Sequence, residues 1–435
     1  MKLVKMSLVA AMVMGASAFA IDNVKVSGDA KLYYSTNDMG TASLFDQGSS
    51  AADTALRLGV TGDLLKGVSF GVTANGISTL GLENNLVSNT WASAHHASFT
   101  PTGRADVADK MWISEAWLAA TVGKTTAKLG RMELDTPLAF SEKWSVAANT
   151  FDAALLINQD LPDTTLVAGW VGKGNGVNAL SEANAAFDNR QDLDATTLGT
   201  QALGDGIMAT DAAMSTFVDG GAYAAAIVNN SFKPLTAQAW YYNVVNVADA
   251  YWLQADIDCS LVKGLKIGAQ YADMDPKGIL DGIKNSSAYA FKLGYEGVPN
   301  LKVSAAYSQA DADGTLKIAN VATNNLSAAQ SKLYTEAWWN YGYVGAPDAE
   351  SMNVTAEYNA GFAKLGAYYT AVSIDNTNAQ VVTKADGTDM VELAVTATKS
   401  FGPLDTTLAY VSTDADDQNA GSQYNTVQAY LTLNF

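Results

Sequence analysis

The last nine residues, "VQAYLTLNF" (427–435), alternate between apolar or small side chains and polar side chains. The residues between the apolar positions carry polar groups, and a period of two is typical of a β-strand with one apolar and one polar face. Chain ends usually fray, so a strand that runs to the final residue is expected to be held in place by pairing with another strand. Pairing with the first strand would close a barrel and remove both edges. The apolar or small positions are Val427, Ala429, Leu431, Leu433 and Phe435.

The first 20 residues, "MKLVKMSLVAAMVMGASAFA", have the pattern of a secretory signal peptide. Lys2 and Lys5 precede an apolar stretch that ends in Ala18-Phe19-Ala20, the A-x-A form of a cleavage site. Removal of residues 1–20 changes the net charge from −18 to −20, because two lysines are lost. This acidic balance predicts no nucleic-acid partner. Cys259 is the only cysteine, which excludes a disulfide within the chain.

The chain is 48% hydrophobic, yet after the signal peptide it has no run of 18 apolar residues. A bundle of membrane helices is therefore not expected, and the other way to cross a bilayer is a closed barrel of alternating strands. A soluble β-sandwich also alternates, but it would not need so many strands, and its apolar faces would meet each other. Clear alternation occurs in residues 24–34, 265–272, 289–296, 301–308 and 352–359.

The connections between these segments are of two kinds. Short links such as "GKTT" (123–126) and "EGVPN" (296–300) alternate with long polar connectors such as 79–110 and 309–351. In outer-membrane barrels the short turns are periplasmic and the long loops are extracellular. The pattern predicts an all-β fold, a transmembrane antiparallel barrel of about 18 strands formed by residues 21–435. The predicted strand starts are near 24, 54, 67, 111, 125, 150, 164, 219, 234, 249, 264, 286, 300, 351, 362, 388, 402 and 424.

The third long connection, within "GRMELDTPLAFSEKWSVAANTFDAAL" (130–155), interrupts the alternation. It mixes charged with large apolar residues, which is not typical of a loop that is fully solvated. Pro137 restricts its own backbone and that of Thr136, so "DTP" predicts a turn.

This stretch resembles the OprD-like, major outer membrane porin family of Gram-negative bacteria. The resemblance is specific over roughly 45 residues, and the barrel pattern extends it along the mature chain. It implies an outer-membrane location, homotrimers of 18-stranded barrels, and a third loop (133–150) that folds inward and narrows the pore. Phe435 is similar to the terminal aromatic residue that the assembly machinery reads in many such barrels. The carrying segments are Gly130-Arg131, Leu134-Asp135-Thr136-Pro137, Asn149-Thr150-Phe151-Asp152 and "DLPDTTLVAGWVGKGNG" (160–176).

The resemblance makes Asp135, Glu142 and Lys143 the candidate constriction residues, because charges in a narrow aqueous passage act strongly on ions. Arg131 has the parity of the outward Leu129, but a bulge at Gly130 would turn it inward, so we expect it in the lumen. The expected lumen carries both signs. Its members besides Arg131 are Lys25, Asp29, Lys31, Arg57, Glu115, Lys128, Asp256, Lys266, Lys292, Lys302, Glu357 and Glu392.

Other motifs give weaker predictions. His95 and His96 lack a third ligand at recognisable spacing, so no metal site and no cofactor are expected. "DADG" (311–314) resembles part of a calcium loop but lacks the closing Glu, and solvated acids are the expected reading. The aromatic stretch "YTEAWWNYGYVGAP" (334–347) is expected to pack against the barrel mouth or another loop rather than to bind sugars.

The sequence contains no catalytic constellation, so an enzyme is not expected. The predicted function is a water-filled pore for passive diffusion of ions and small hydrophilic solutes. A small acidic excess at the constriction predicts a weak cation preference. A substrate-specific channel and an adhesin-type barrel are the alternatives. The expected partners are other copies of the chain, outer-membrane lipid and lipopolysaccharide, and the permeating solutes.

Overall fold

The computed structural model describes residues 21–82, 86–87, 110–144, 146–176, 214–216, 220–323, 329–375 and 387–435, so the predicted signal peptide lies outside the described part. The described chain folds into antiparallel strands that we number in chain order. They are β1 Asp22–Asn37, β2 Ser50–Leu65, β3 Val68–Ser78, β4 Lys110–Val122, β5 Thr125–Met132, β6 Phe151–Asn158, β7 Thr164–Gly174, β8 Ala222–Asn229, β9 Leu235–Val244, β10 Ala248–Asp258, β11 Leu265–Pro276, β12 Ser286–Val298, β13 Leu301–Ala310, β14 Ala349–Asn359, β15 Lys364–Ile374, β16 Thr388–Phe401, β17 Leu404–Ala415 and β18 Tyr424–Asn434.

The first and last strands close the barrel. β18 pairs with both β17 and β1, and Ala30 lies opposite Leu433. The ladder extends to the final residue, because Gly28 N donates to Phe435 O at 2.8 Å and Phe435 N donates to Gly28 O at 2.9 Å. The Phe435 ring covers Gly28 so closely that a β-carbon there would lie 2.6 Å from it. The predicted closed antiparallel barrel of about 18 strands is confirmed.

The strands follow the predicted alternation. In β16, Met390, Glu392 and Ala394 are buried inside the barrel, whereas Val391 and Leu393 are exposed on the outside. A barrel in a bilayer has this pattern because its outer face contacts lipid while its inner face contacts water or other parts of the protein. All observed strand starts lie within four residues of the predicted ones.

Other regular elements are short. There are 3-10 turns at Gln47–Ser49, Gly278–Leu280 and Asn419–Gly421. The two-residue strand Ser215–Thr216 pairs with the end of β7 but stands outside the barrel cycle. Across the described residues, no helix is long and apolar enough to cross a membrane. We call the end of the barrel with short links the turn end and the opposite end the loop end.

The hydrophobic core lies inside the barrel, which the alternation alone does not predict. Inward residues of β9 to β11, among them Trp240, Trp252 and Met274, pack against Ile318 and Leu333. The last two belong to the connection between β13 and β14, loop L7 (residues 311–348). The expectation of an external polar connector at 309–351 is therefore wrong. L7 folds into the lumen because its apolar side chains find an apolar inner wall there, and each buried side chain of this size contributes roughly 1.5–3 kcal/mol.

Candidate pore constriction

Loop L3 (residues 133–150) enters the barrel directly after β5. Its first part forms a tight turn, in which Thr136 Oγ1 donates to Ala139 O at 2.7 Å and Ser141 N donates to Leu134 O at 2.8 Å. Asp135 and Phe140 form an isolated antiparallel bridge. The turn predicted at "DTP" is therefore present, and it directs the loop back across the lumen.

L3 rests on L7 along one edge. Val321 N donates to Leu138 O at 2.8 Å, and Phe140 N donates to Asn320 Oδ1 at 3.0 Å. Leu138 is only 2% exposed and packs in the same core as the inner wall of the barrel. The prediction that the third loop folds inward is confirmed, and L7 is the support on which it rests.

Glu142 joins the two loops from a buried position. Its carboxylate accepts hydrogen bonds from Thr323 Oγ1 at 2.7 Å, Asn320 Nδ2 at 3.1 Å, Gln330 N at 3.2 Å and Trp144 Nε1 at 3.3 Å. Glu142 is 4% exposed, so its charge does not border the lumen. The expectation that Glu142 lines the constriction is corrected: four donors, three of them on L7, hold the side chain inside the loop contact. Hydrogen bonds to a charged group each contribute about 1.5–3 kcal/mol.

Asp135 is the exposed acid of L3. Its side chain is 82% exposed and forms an ion pair with Lys332 of L7. The ammonium group of Lys332 also lies 4.7 Å from the centre of the Phe140 ring. Lys332 was not among the residues expected from the sequence, because it belongs to a segment that was assigned to the outside.

A chain of alternating charges runs from the barrel wall to L3. Arg57 Nε lies 2.7 Å from Asp29, and Arg57 Nη1 lies 3.3 Å from Glu133 at the start of L3. The other oxygen of Glu133 lies 2.6 Å from Lys143 Nζ. Lys143, the third candidate constriction residue, is 62% exposed at its side chain and is thus tied to the wall through Glu133 and Arg57.

The inner faces of β3 to β5 extend this charged surface toward the turn end. Thr73 Oγ1 donates to Glu115 at 3.1 Å, and Lys128 Nζ lies 4.1 Å above the Trp117 ring. A cavity of about 590 Å³ opens here, lined by Arg57, Glu115 and Trp117 among others. The structure thus places Arg57, Glu115 and Lys128 on the inner face.

Arg131 lies on the outer face, which corrects the expectation of a lumen position. It stands opposite Ala116 and Asp152 without a break in register, so the parity of the exposed Leu129 continues through Gly130. Gly130 has a φ of +125°, but no residue is inserted there. Arg131 Nε contacts Asp152 at 2.9 Å, and Nη1 donates to Ile113 O at 2.9 Å.

L7 is also tied to the wall on the far side of the lumen. Trp339 N and Asn340 N donate to the buried carboxylate of Glu392 on β16 at 3.1 and 2.7 Å. Tyr334 OH donates to Asp256 of β10 at 2.6 Å, and Trp338 Nε1 donates to Gln428 of β18 at 3.0 Å. The aromatic stretch 334–347 therefore lies in the barrel interior, where Trp339 and Tyr341 contact the Trp144 ring of L3, so the predicted packing against another loop is present.

Glu336 is a buried acid within L7. Its oxygen Oε1 is enclosed and accepts no hydrogen bond in the described part of the chain, while Oε2 accepts from Ser331 N at 2.7 Å. Loss of solvation at this site raises the pKa of Glu336 to about 8, although Lys317 and the Ser331 donor act in the opposite direction. Lys317 Nζ is itself enclosed and donates to the carbonyl oxygens of Ala329 and Tyr341, both at 2.7 Å.

His95 and His96 lie outside the described residues. Within the described ranges, no three His, Cys, Asp or Glu side chains converge in a way that could hold a metal ion. Neither the "DADG" acids nor other acids gather into such a group in this part of the chain.

Comparison with known proteins identifies the fold. No protein-family model and no curated protein matches the chain. Solved structures do: OpdK of Pseudomonas aeruginosa with vanillate has a TM-score of 0.66 at 14% identity, covering 95% of this chain and 98% of that one. OccK8 (OprE) of the same organism has a TM-score of 0.66 at 15% identity and covers 95% and 98%. OccAB1 of Acinetobacter baumannii has a TM-score of 0.67 at 15% identity and covers 95% and 97%.

At this level of identity the likeness establishes the fold. With its closed barrel, apolar outer face and charged lumen, the chain has the fold of an outer-membrane porin-type barrel. The structures that it resembles are porins of the OprD/Occ type, as the motif in residues 130–176 implied.

Proposed function

We propose that this chain is a selective porin that passes small hydrophilic solutes by passive diffusion through a narrow charged passage. The observation that carries the proposal is the filling of the lumen by L3 and L7. The two loops fill much of the lumen with an apolar core against β5 to β17, and the ion-paired charges of Arg57 and Lys143 lie against β1 and β2. A path confined to the charged side selects by size and by charge.

The balance of charge along this passage favours anions slightly. The predicted weak cation preference counted Glu142 as a pore charge, but Glu142 is committed to the L3–L7 contact, and Lys332 is added. The exposed charges of L3, Lys332 and the electrostatically linked charges around Arg57 on β1 to β5 then include one more basic than acidic group. The basic groups are Lys31, Arg57, Lys128, Lys143 and Lys332, and the acidic groups are Asp29, Glu115, Glu133 and Asp135.

Small organic anions and zwitterions are therefore the proposed solute class. The alternation of Arg57, Glu133 and Lys143 supports it, because a carboxylate can replace Glu133 on either cation while an amino group contacts the acids. The related OpdK structure contains vanillate, an organic anion, which supports the same class.

The test is conductance of the purified, folded protein in planar bilayers. We expect discrete ion-conducting steps, a zero-current potential displaced to the anion side in a KCl gradient, and partial block by millimolar benzoate or glycine. Absence of steps from protein that migrates as a folded barrel would refute a pore. A zero-current potential on the cation side would instead support the preference expected from the sequence.

We also propose that the chain associates with copies of itself, as a homotrimer, among outer-membrane lipids and lipopolysaccharide. The family resemblance and the apolar outer wall support this assembly. Native mass spectrometry from mild detergent is the measurement, and a population that is wholly monomeric at all detergent concentrations would count against it.

A further inference from the structure

The charged passage beside β1 and β2 is covered on its loop side. Tyr33 has the inward parity of Asp29 and Lys31 and lies beyond them toward the loop end of β1. Its side chain belongs to the lumen face of the wall, yet the residue is only 1% exposed. Asp29 contacts Arg57, so the buried ring stands on the loop side of these charged groups. Other parts of the chain therefore fill the lumen above them.

Three aromatic rings from different parts of the fold surround Tyr33. The ring centre of Trp144 in L3 lies 6.4 Å away with the planes nearly perpendicular, and that of Trp339 in L7 lies 6.3 Å away. The ring of Tyr430 on β18 is at 4.9 Å. Trp144 and Trp339 also contact each other edge to face at 5.7 Å. We call Tyr33, Trp144, Trp339 and Tyr430 the aromatic cluster; in it the wall, L3 and L7 meet.

Aliphatic side chains extend the aromatic cluster along the wall. Tyr33 packs with Ile77 of β3 and Val146 of L3, and Trp112 of β4 packs against the same group. Ile77 and Val146 are nearly fully buried. The apolar layer thus extends from β18 across β1 to β4, above the strands whose charges line the passage nearer the turn end. A hydrophobic constriction of this kind stops ions because it loses its water.

Trp144 is the member of the aromatic cluster that is best able to move. Tyr33 and Tyr430 lie opposite each other on paired strands of the barrel, and the backbone of Trp339 is held by its bond to Glu392. The Trp144 ring is held by its ring contacts and by the 3.3 Å hydrogen bond from Nε1 to Glu142 of its own loop. Side-chain rotation of this kind needs no change in the barrel ladder.

We propose that Trp144 is a gate that closes the loop side of the charged passage by contact with Tyr33 and Trp339. The inference rests on the pore proposed above and adds the residue that controls passage through it. With the ring in place, a solute that enters from the turn end reaches Arg57 but does not cross. Rotation of the ring away from Tyr33 opens a path along the inner face of β1 and β2, and the width of that path limits the size of the solute.

Ala55 provides a reporter position just beneath the aromatic cluster. It lies on the inner face of β2 opposite Lys31 and Ile77. The test uses Ala55→Cys in a Cys259→Ser background, in planar bilayers, with a small anionic methanethiosulfonate reagent added on one side. We expect modification from the turn-end side to be at least about tenfold faster than from the loop-end side, since the ring contacts must break before the reagent passes.

Trp144→Ala in the reporter background should remove the difference between the two sides and raise the mean current severalfold, with fewer closed intervals. Trp144→Phe keeps a ring and should retain the difference. Trp338→Ala is the matched control, because this neighbouring tryptophan of L7 contacts Tyr368 at 5.1 Å and donates to Gln428 instead of joining the aromatic cluster. It should leave the difference in place. Heat-modifiable gel migration confirms that each variant is folded.

Equal modification rates from the two sides before Trp144 is changed overturn the gate, and so does a difference that persists in Trp144→Ala. Loss of the difference in both Trp144→Ala and Trp338→Ala overturns it as well, because closure would then depend on the fixation of L7. A reporter that reacts from neither side overturns it too, since the proposal requires open access from the turn end. Absence of conducting steps in all variants refutes the pore and the gate together, whereas the other results concern the gate alone.

Discussion

Loop L7 meets the inner wall of β9 to β12 through apolar side chains, whereas L3 meets the inner wall of β1 and β2 through charges as well as through the ring contact of Trp144 with Tyr33. Trp252 and Leu333 represent the first contact, and Arg57 and Glu133 represent the second. The apolar contact excludes water and fixes the loops. The charged contact remains accessible to solutes, since the Arg57 side chain is 40% exposed. One half of the lumen therefore serves as a scaffold for the other.

The largest effect is expected where the two halves are joined. Glu142→Ala removes the acceptor for three donors of L7 and leaves them enclosed, at about 1–3 kcal/mol for each unsatisfied group. The L3–L7 contact should loosen, and single-channel conductance should rise severalfold with increased open-channel noise. The measurement is single-channel recording in 1 M KCl.

Asp135→Ala is the matched control for Glu142→Ala, because it removes an acid from the same loop at an exposed position. It should change conductance only slightly. A Glu142→Ala channel with the conductance and noise of the parent protein would contradict the assignment of Glu142 as the connection between the loops.

A second effect concerns the pH dependence of L7, which belongs to the apolar half of the lumen. The pKa of Glu336 is raised to about 8 in the folded protein, above its ordinary value. The protonated form thus stabilises L7 fully below pH 4.5, and this contribution is lost as pH rises through about 8. We expect L7 fluctuations, seen as channel noise, to increase between pH 5 and 9.

Glu336→Gln keeps the shape of the side chain and cannot ionise, so the noise of this variant should be low and independent of pH over that range. Lys317 and Glu142, which face Glu336, remain in place in the variant. If the variant retains the pH dependence of the parent, another group is responsible.

A third effect concerns the charged half. Arg57→Gln removes the cation that bridges Asp29 and Glu133, which cancels the basic excess along the passage. The zero-current potential should move toward cations by several millivolts, and block by benzoate should weaken severalfold. Lys284→Gln is the control, because Lys284 pairs with Asp313 at the loop end. Salt screens exposed charges there beyond about 8 Å, so this substitution should have little effect on ions in the passage. An equal shift in both variants would refute a local role for Arg57.

The barrel is predictable from the sequence because each strand carries its own alternating pattern. The alternation in residues 427–435 depends only on neighbouring residues, and the observed pairing with β1 follows from it. The path of L7 depends on contacts between distant segments, such as Tyr334 with Asp256, which no local period reveals. Two features of the sequence indicate an inward path for L7. One is the aromatic content of residues 334–347, and the other is the presence of Trp240 and Trp252 at inward positions of the wall.

The positions of the charged residues are likewise only partly predictable from the local sequence. Parity alone gives the side of the wall and places Arg131 outside, as observed, whereas the expected bulge at Gly130 is wrong. Parity says nothing of a loop residue such as Glu142, whose role depends on Asn320 and Thr323 nearly two hundred positions away. Lys332 could not be assigned to the constriction for the same reason.

The smallest effect is expected at the exposed ion pair between Asp135 of L3 and Lys332 of L7. Asp135 and Lys332 form a pair in which Asp135 is largely exposed, and exposed pairs contribute about 0–1 kcal/mol. Barrel stability should therefore change little in Asp135→Asn or Lys332→Gln. Selectivity should respond with opposite signs: the zero-current potential moves toward anions in Asp135→Asn and toward cations in Lys332→Gln, by less than in Arg57→Gln. Asp414→Asn and Asp416→Asn, at the loop end of β17, should shift it less than either. If these outer substitutions have the larger effect, the narrowest part of the passage lies above L3, and the charged half described here is a vestibule.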